Sequence, residues 1–211
     1  MKDLLEKHMS MLYDNKGTIH LMNEITVSGA FSLKDDKACG QCIPFFSRNC
    51  GNETFLIHTN SDIHCLDIET FLNGFKNVSG DRCDRLLYDE RKCMLLDLYC
   101  GMSEYLDPHK KEKKVVTGKK EKARNQIEKT IERLCSVHDI EDYLNGMSEK
   151  VGVFGYRSKD EEMFKNIPKT VRKSEKAFLM FYKMQAERRL ASPMPHGFYF
   201  IMHSYPKRYE W

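Results

Sequence analysis

Apolar and polar positions change rhythm several times along the chain. Residues 3–13 set Leu4, Leu5, His8, Met11 and Leu12 at helical spacing, which predicts a short amphipathic helix. From Ile19 to Phe46 the apolar pieces are short and separated by SGA, KDDKACGQC and Pro44, the pattern of short strands and loops. ETFLIHT (53–59) reads as a strand. SDIHCLDIETFLNGF (61–75) reads as a helix, with Ser61 or Asp62 as its cap, Leu66, Phe71 and Leu72 near one face, and Gly74 as its stop. Apolar runs at 82–88 and 93–100 flank the charged tetrapeptide Asp89-Glu90-Arg91-Lys92 and predict a β-hairpin. SEYLDPHKKEKKVVTGKKEKAR (103–124), interrupted by Pro108 and Gly118, predicts a mobile loop entering a helix. That helix, over 118–136, has the clearest stripe in the chain: Ala123, Ile127, Ile131 and Leu134, with charges elsewhere. VGVFGY (151–156) reads as a buried strand, 174–191 as a second long helix, and GFYFIMHSY (197–205) as a last strand.

Strands, a hairpin, helix, strand, helix and strand in that order predict an α/β or α+β fold with a central mixed sheet covered by helices. A length of 211 residues suits a single domain, 1–211, able to bury a proper core, and no repeat or internal boundary interrupts it. Apolar residues at 41% and charged residues at 31% exclude a disordered chain. No apolar run approaches the roughly 18 residues that span a bilayer, so no membrane association is expected. The N-terminal residues mix acids with apolar side chains, unlike a secretory signal, which points to the cytoplasm and to cysteines that are reduced or metal-bound.

Two residues of the hairpin resist a core reading. Asp84 and Asp97 sit in otherwise apolar runs, and a carboxylate taken out of water costs several kcal/mol unless it is paired. Alternation puts Asp97 and Tyr99 on one face of their strand, and an antiparallel hairpin brings Asp84 towards Asp97. Two converging carboxylates repel each other and raise each other's pKa. Mg²⁺ or Mn²⁺, which prefers hard oxygen ligands, would relieve that repulsion and could polarise a phosphoryl oxygen. The alternative is structural: both acids end strands or pair with Arg82, Arg85 or Lys92.

CDRLLYD, CMLLDLYCG and GKKEKARNQIEKTIERL, in that order, resemble the core of the PD-(D/E)XK nuclease superfamily, the restriction-endonuclease-like fold. That core is a helix, a hairpin carrying an Asp and then an acid-x-Lys, a helix and a further strand. The resemblance covers residues 61–156. It leaves 1–60 as an N-terminal extension and 157–211 as a C-terminal helix and strand. It implies that Asp84 and Asp97 are metal ligands, that Gln126-Ile127 marks the following helix, and that VGVFGY is the next strand. It implies a metal-dependent nuclease acting on DNA or RNA, or a pseudo-nuclease that keeps the fold as a nucleic-acid- or protein-binding module. Enzymes of this kind serve restriction, repair and phage defence. Glu69 is the acid expected to complete the metal site from the helix before the hairpin, with Asp67 behind it. The chain departs from the motif at Tyr99, where the lysine should stand, and a neutral phenol cannot supply its positive charge. Lys119 is the leading substitute, because it shares a helix edge with Gln126 seven residues on; Lys122 is a weaker one.

Residues 109–124 hold eight lysines and arginines against two glutamates. Lys113, Lys114, Lys119, Lys120, Lys122 and Arg124 are therefore candidate phosphate contacts, with a solvated basic surface as the alternative. Cys39 and Cys42 have zinc-like spacing, and Cys50 follows with His58, His64 and Cys65 downstream. A structural Zn²⁺ site is one reading and incidental thiols are the other. Under the zinc reading the chain is a zinc-stabilised interaction protein. Cys83, Cys93, Cys100 and Cys135 read as core residues. A cysteine nucleophile with His58, His64 or His138 as base has no local pattern behind it.

Overall fold

The computed structural model describes residues 1–14, 20, 22–34, 53–111, 114–159 and 191–211. The helix predicted over 174–191, and Lys113, Cys39, Cys42 and Cys50, lie outside the described residues.

The chain begins with helix α1 (Lys2–Tyr13), followed by the long strands β1 (Glu24–Lys34) and β2 (Glu53–Leu66) and the short helix α2 (Ile68–Asn73). Strands β3 (Arg85–Tyr88) and β4 (Lys92–Gly101) form the expected hairpin, and a small hairpin, β5 (His109–Lys111) and β6 (Lys114–Val116), follows. Helices α3 (Lys119–Cys135) and α4 (His138–Asn145) lead to β7 (Glu149–Ser158), and β8 (Ser192–Pro193), β9 (Tyr199–Ser204) and β10 (Arg208–Glu210) close the order. Among the described residues one mixed sheet runs β1-β2-β3-β4-β7-β9-β8, with β10 added alongside β2. Neighbours from β1 to β4 are antiparallel, whereas β4, β7 and β9 are parallel to one another. The parallel step from β4 to β7 needs a crossover, and α3 and α4 provide it.

The predicted α/β class and mixed sheet are therefore present. The four described helices all pack on one face. Leu5 and Met9 of α1, Phe71 and Leu72 of α2, the α3 stripe, and Ile140 and Leu144 of α4 share a core with Leu86, Leu95, Phe154 and Phe200 of the sheet. The other face has its own core, including Phe31, Phe55, Ile57, Met94, Leu96 and Val153, against which Tyr209 and Trp211 pack.

Three elements differ from the sequence reading. SGA does not break β1; Gly29, at φ 75°, marks a register shift in one continuous strand. The predicted helix over 61–75 is half strand. Ile63 and Cys65 alternate into the second core as the end of β2, and Asp67, not Ser61 or Asp62, caps α2 by accepting the Thr70 amide at 3.1 Å. Helix α1 turns a different face inward from the one its apolar spacing suggests. Met11 is 68% exposed while Glu6 and Ser10 are buried, because Glu6 accepts the Met22 amide (2.7 Å) and Ser10 accepts that of His20 (3.2 Å). Buried backbone donors have to be satisfied, and here two polar side chains satisfy them.

The α3 stripe is fully buried, and its larger members each contribute about 1.5–3 kcal/mol relative to exposure. The helix lies unusually close to β7. A Cβ at Gly152 would stand 2.8 Å from Cγ2 of Ile127, a distance that real side chains do not tolerate. Gly152→Val is expected to cost about 1–3 kcal/mol in urea unfolding. Adding Ile127→Ala should make the double mutant more stable than the sum of the two single losses predicts, and strict additivity would contradict this packing.

Residues 208–211 clasp the hairpin turn. Asp89 accepts the Arg91 and Lys92 amides through Oδ1 and the Trp211 indole N–H through Oδ2 at 2.6 Å. The Lys92 ammonium lies over the Tyr209 and Trp211 rings and pairs with Glu149 at 3.0 Å. Burial alone would raise the Asp89 pKa, but the indole and amide donors overcome it and hold the carboxyl below its ordinary value. A depressed folded pKa contributes stability above the unfolded pKa that is lost as pH falls through the folded one. Trp211→Phe keeps the ring but removes the N–H. It should be less stable than the parent at pH 7, with the gap narrowing towards about pH 3; a gap independent of pH would contradict the assignment.

Candidate functional site

The hairpin delivers the two acids. Its register runs from Tyr88 opposite Cys93 to Arg85 opposite Leu96, with Asp84 just before the first of these paired residues and Asp97 just after the last. Asp84 stands just before β3. Its amide donates to the Leu96 carbonyl (3.0 Å), and its Oδ2 accepts the Leu98 amide at 2.7 Å. The carboxylate thus lies at the peptide that joins Asp97 to Leu98. Asp97 is buried on the face of β4 that also carries Leu95 and Tyr99, the face covered by α3. Burial pushes the Cys83 thiol pKa well up, and the charges of Asp97 and Asp84 push it further, so both acids act on one buried atom.

Two supports hold Asp84 in place. From the α2 side, its carbonyl accepts Arg85 Nη1 (2.8 Å) and the Glu69 amide (3.4 Å). Arg85, only 1% exposed, also pairs with Asp67 at 2.8 Å, and Asp67 caps α2. From the α3 side, Gln126 Nε2 donates to the Arg82 carbonyl (2.8 Å), and Thr130 Oγ1 accepts the Cys83 amide (3.1 Å). The same edge of α3 reaches β4. Lys119 Nζ lies 5.5 Å from the centre of the Tyr99 ring, a cation–π contact, while the Tyr99 hydroxyl donates to the Met102 carbonyl.

Two carboxylates carried on one hairpin are oxygen donors of the kind a hard cation of the Mg²⁺ type takes, one or two at a time, with water and phosphate filling its shell. Among the described residues no group of three or more His, Cys, Asp or Glu side chains surrounds one point. Glu69 touches the site through its amide, and its charge acts on Arg82. Arg82 donates to the Val78 carbonyl, Arg85 to Asp67 and to the Asp84 carbonyl, and Lys92 pairs with Glu149.

The expected basic loop is the β5–β6 hairpin with a short 3₁₀ turn at Ser103–Tyr105 before it. Beside it opens a cleft of about 710 Å³ lined by Lys119, Lys122, His109 and Tyr105. Lys114 is exposed on β6, and Lys120 begins α3 with its amide on the Leu106 carbonyl. Arg124 is tied to Glu128, to Ser192 and to the Pro193 carbonyl, holding β8 against the helix. Tyr105 and His109 carry no weight in the motif, yet an aromatic pair four residues apart inside a basic stretch is the signal that could have marked them.

Cys65, Cys83, Cys93 and Cys135 are buried free thiols, and Cys100 is half-buried. Burial pushes the Cys65 pKa up to about 12 and that of Cys135 to about 11, so neither is a ready nucleophile. His58, His64 and His138 face Glu210, Glu24 and Asp142.

Protein-family models, curated proteins and solved structures provide no match to this chain.

Thr130→Val would leave the Cys83 amide buried without an acceptor. The expected result is a loss of about 1–3 kcal/mol in stability together with faster hydrogen exchange at Cys83 and Asp84. Unchanged exchange there would show that α3 does not hold this segment.

Proposed function

We propose that the chain is a metal-dependent, nuclease-like protein of the restriction-endonuclease-like type, acting on phosphodiester bonds of DNA or RNA. Asp84 and Asp97 are the ligands of Mg²⁺ or Mn²⁺, and Lys119 takes the place of the motif lysine. The order of α2, β3, β4, α3 and β7 supports this reading, since it is the order of that core. The observation that carries it is the Lys119 ammonium over Tyr99. A lysine that comes from the next helix reaches the residue at which the motif requires one, two positions after Asp97 on the same face.

The bound cation would supply Lewis-acid polarisation of the phosphoryl group and of a water. The chain's own residues do the rest. Asp84 and Asp97 supply the negative charge that holds the cation, with Asp84 kept in place by the Leu98 amide. Lys119 brings a compact positive charge to the phosphate oxygens as their negative charge grows. Water adds to phosphorus and gives up a proton to solvent, the bond to the bridging sugar oxygen breaks, and that oxygen leaves with a proton from solvent.

A second reading is favoured by one observation: with Tyr99 at the lysine position and no three-ligand group among the described residues, the site also fits a binding module without turnover. Incubation with labelled DNA and RNA in Mg²⁺ or Mn²⁺ separates the two. Cleavage is expected, abolished in Asp97→Ala and lowered about a hundred- to a thousand-fold in Lys119→Ala. Tyr99→Lys in the Lys119→Ala background should restore part of it. Wild-type cleavage by Asp97→Ala would refute the mechanism, and salt-sensitive binding with no cleavage would establish the module.

A further inference from the structure

We infer that the cleft between the 3₁₀ turn, the β5–β6 hairpin and the start of α3 binds single-stranded nucleic acid, with a base stacked on Tyr105 and the backbone phosphates on Lys119 and Lys122. This rests on the reading above and names its substrate class.

Three observations converge on it. The first is the pairing of rings and ammonium groups in one cleft. Tyr105 and His109 lie 4.8 Å apart with their planes tilted by 56°, and the cleft they line also receives Lys119 and Lys122. The second is exposure. Tyr105 is 38% exposed and Val116, also in the cleft wall, is 37% exposed, whereas most large apolar side chains among the described residues are buried. The third is continuity with the acids, because Lys119, whose ammonium covers Tyr99 beside Asp97, is itself part of the cleft wall.

The cleft holds one carboxylate, Glu104, whose charge raises the pKa of the Tyr105 hydroxyl. The His109 ring is steadied by Nδ1 against the Asp107 carbonyl at 3.4 Å. Two rings beside two lysines form a stacking platform with a phosphate rail. In a duplex each base face is covered by its neighbour, so an aromatic side chain finds a partner only on unstacked nucleotides. The geometry therefore selects single strands or frayed ends over duplex.

Binding is measured by fluorescence anisotropy in EDTA, where cleavage is suppressed, with fluorescein-labelled 12-mers of dT and of U and a duplex of the same length. Either single strand is expected to bind more tightly than the duplex, and the tighter of the two identifies DNA or RNA as the ligand. Tyr105→Ala should weaken single-strand binding about five- to a hundred-fold and Tyr105→Phe should retain it. The double mutant Lys119→Ala/Lys122→Ala should flatten the slope of log K against log salt by about 1.4. Asp97→Ala should bind normally, so failure of cleavage and failure of binding are read separately. Duplex binding as tight as single-strand binding, or a Tyr105→Ala protein with unchanged affinity, would overturn the inference.

Discussion

The seating of α3 on the sheet is the constraint from which the rest follows. Its apolar stripe is fully buried, and Gly152 lets it lie against β7 at a distance that a Cβ would forbid. Once seated, the helix has polar groups along one edge at fixed heights. Gln126 and Thr130 meet the backbone at Arg82 and Cys83, and Lys119 meets Tyr99. One helix edge therefore touches both arms of the hairpin where its two acids stand. Rigid packing supplies the positional accuracy that a loop could not.

The Asp84 carboxylate is supported locally. Asp84 accepts an amide from the opposite strand, and its own carbonyl is held by a buried arginine that is itself neutralised by Asp67. Breaking that buried pair would leave an uncompensated charge, a loss of about 3–5 kcal/mol. Asp67 and Arg85 therefore position an acid without lying at the proposed reaction centre. A second concentration of charge among the described residues, the Asp89, Lys92 and Glu149 cluster, is at the turn end of the hairpin and is closed by Tyr209 and Trp211.

How much of this was legible depended on whether the signal was local. The α3 stripe, the hairpin and the strand at 151–156 are strongly periodic and read correctly. Residues 61–66 did not, because Leu66, Phe71 and Leu72 satisfy helical spacing while Ile63 and Cys65 alternate as a strand; the decision between them came from pairing with β1 and β3. The inward face of α1 was hidden for the opposite reason. Glu6 and Ser10 are buried by hydrogen bonds to backbone far away in sequence, which no hydrophobic pattern records. In the site, the hairpin that carries Asp84 and Asp97 was read from its two apolar runs, and the reach of Lys119 from counting along a helix. The Arg85–Asp67 pair and the Tyr105–His109 cleft depend on contacts between elements and were not visible.

The most direct test of the central claim is a crystal structure of the protein soaked in Mn²⁺, read by anomalous scattering. The account predicts one manganese in contact with carboxylate oxygens of both Asp84 and Asp97, with the Lys119 ammonium on the same side of the sheet. A fully soaked crystal with no manganese on these two residues, or with Lys119 turned away into solvent, would contradict it.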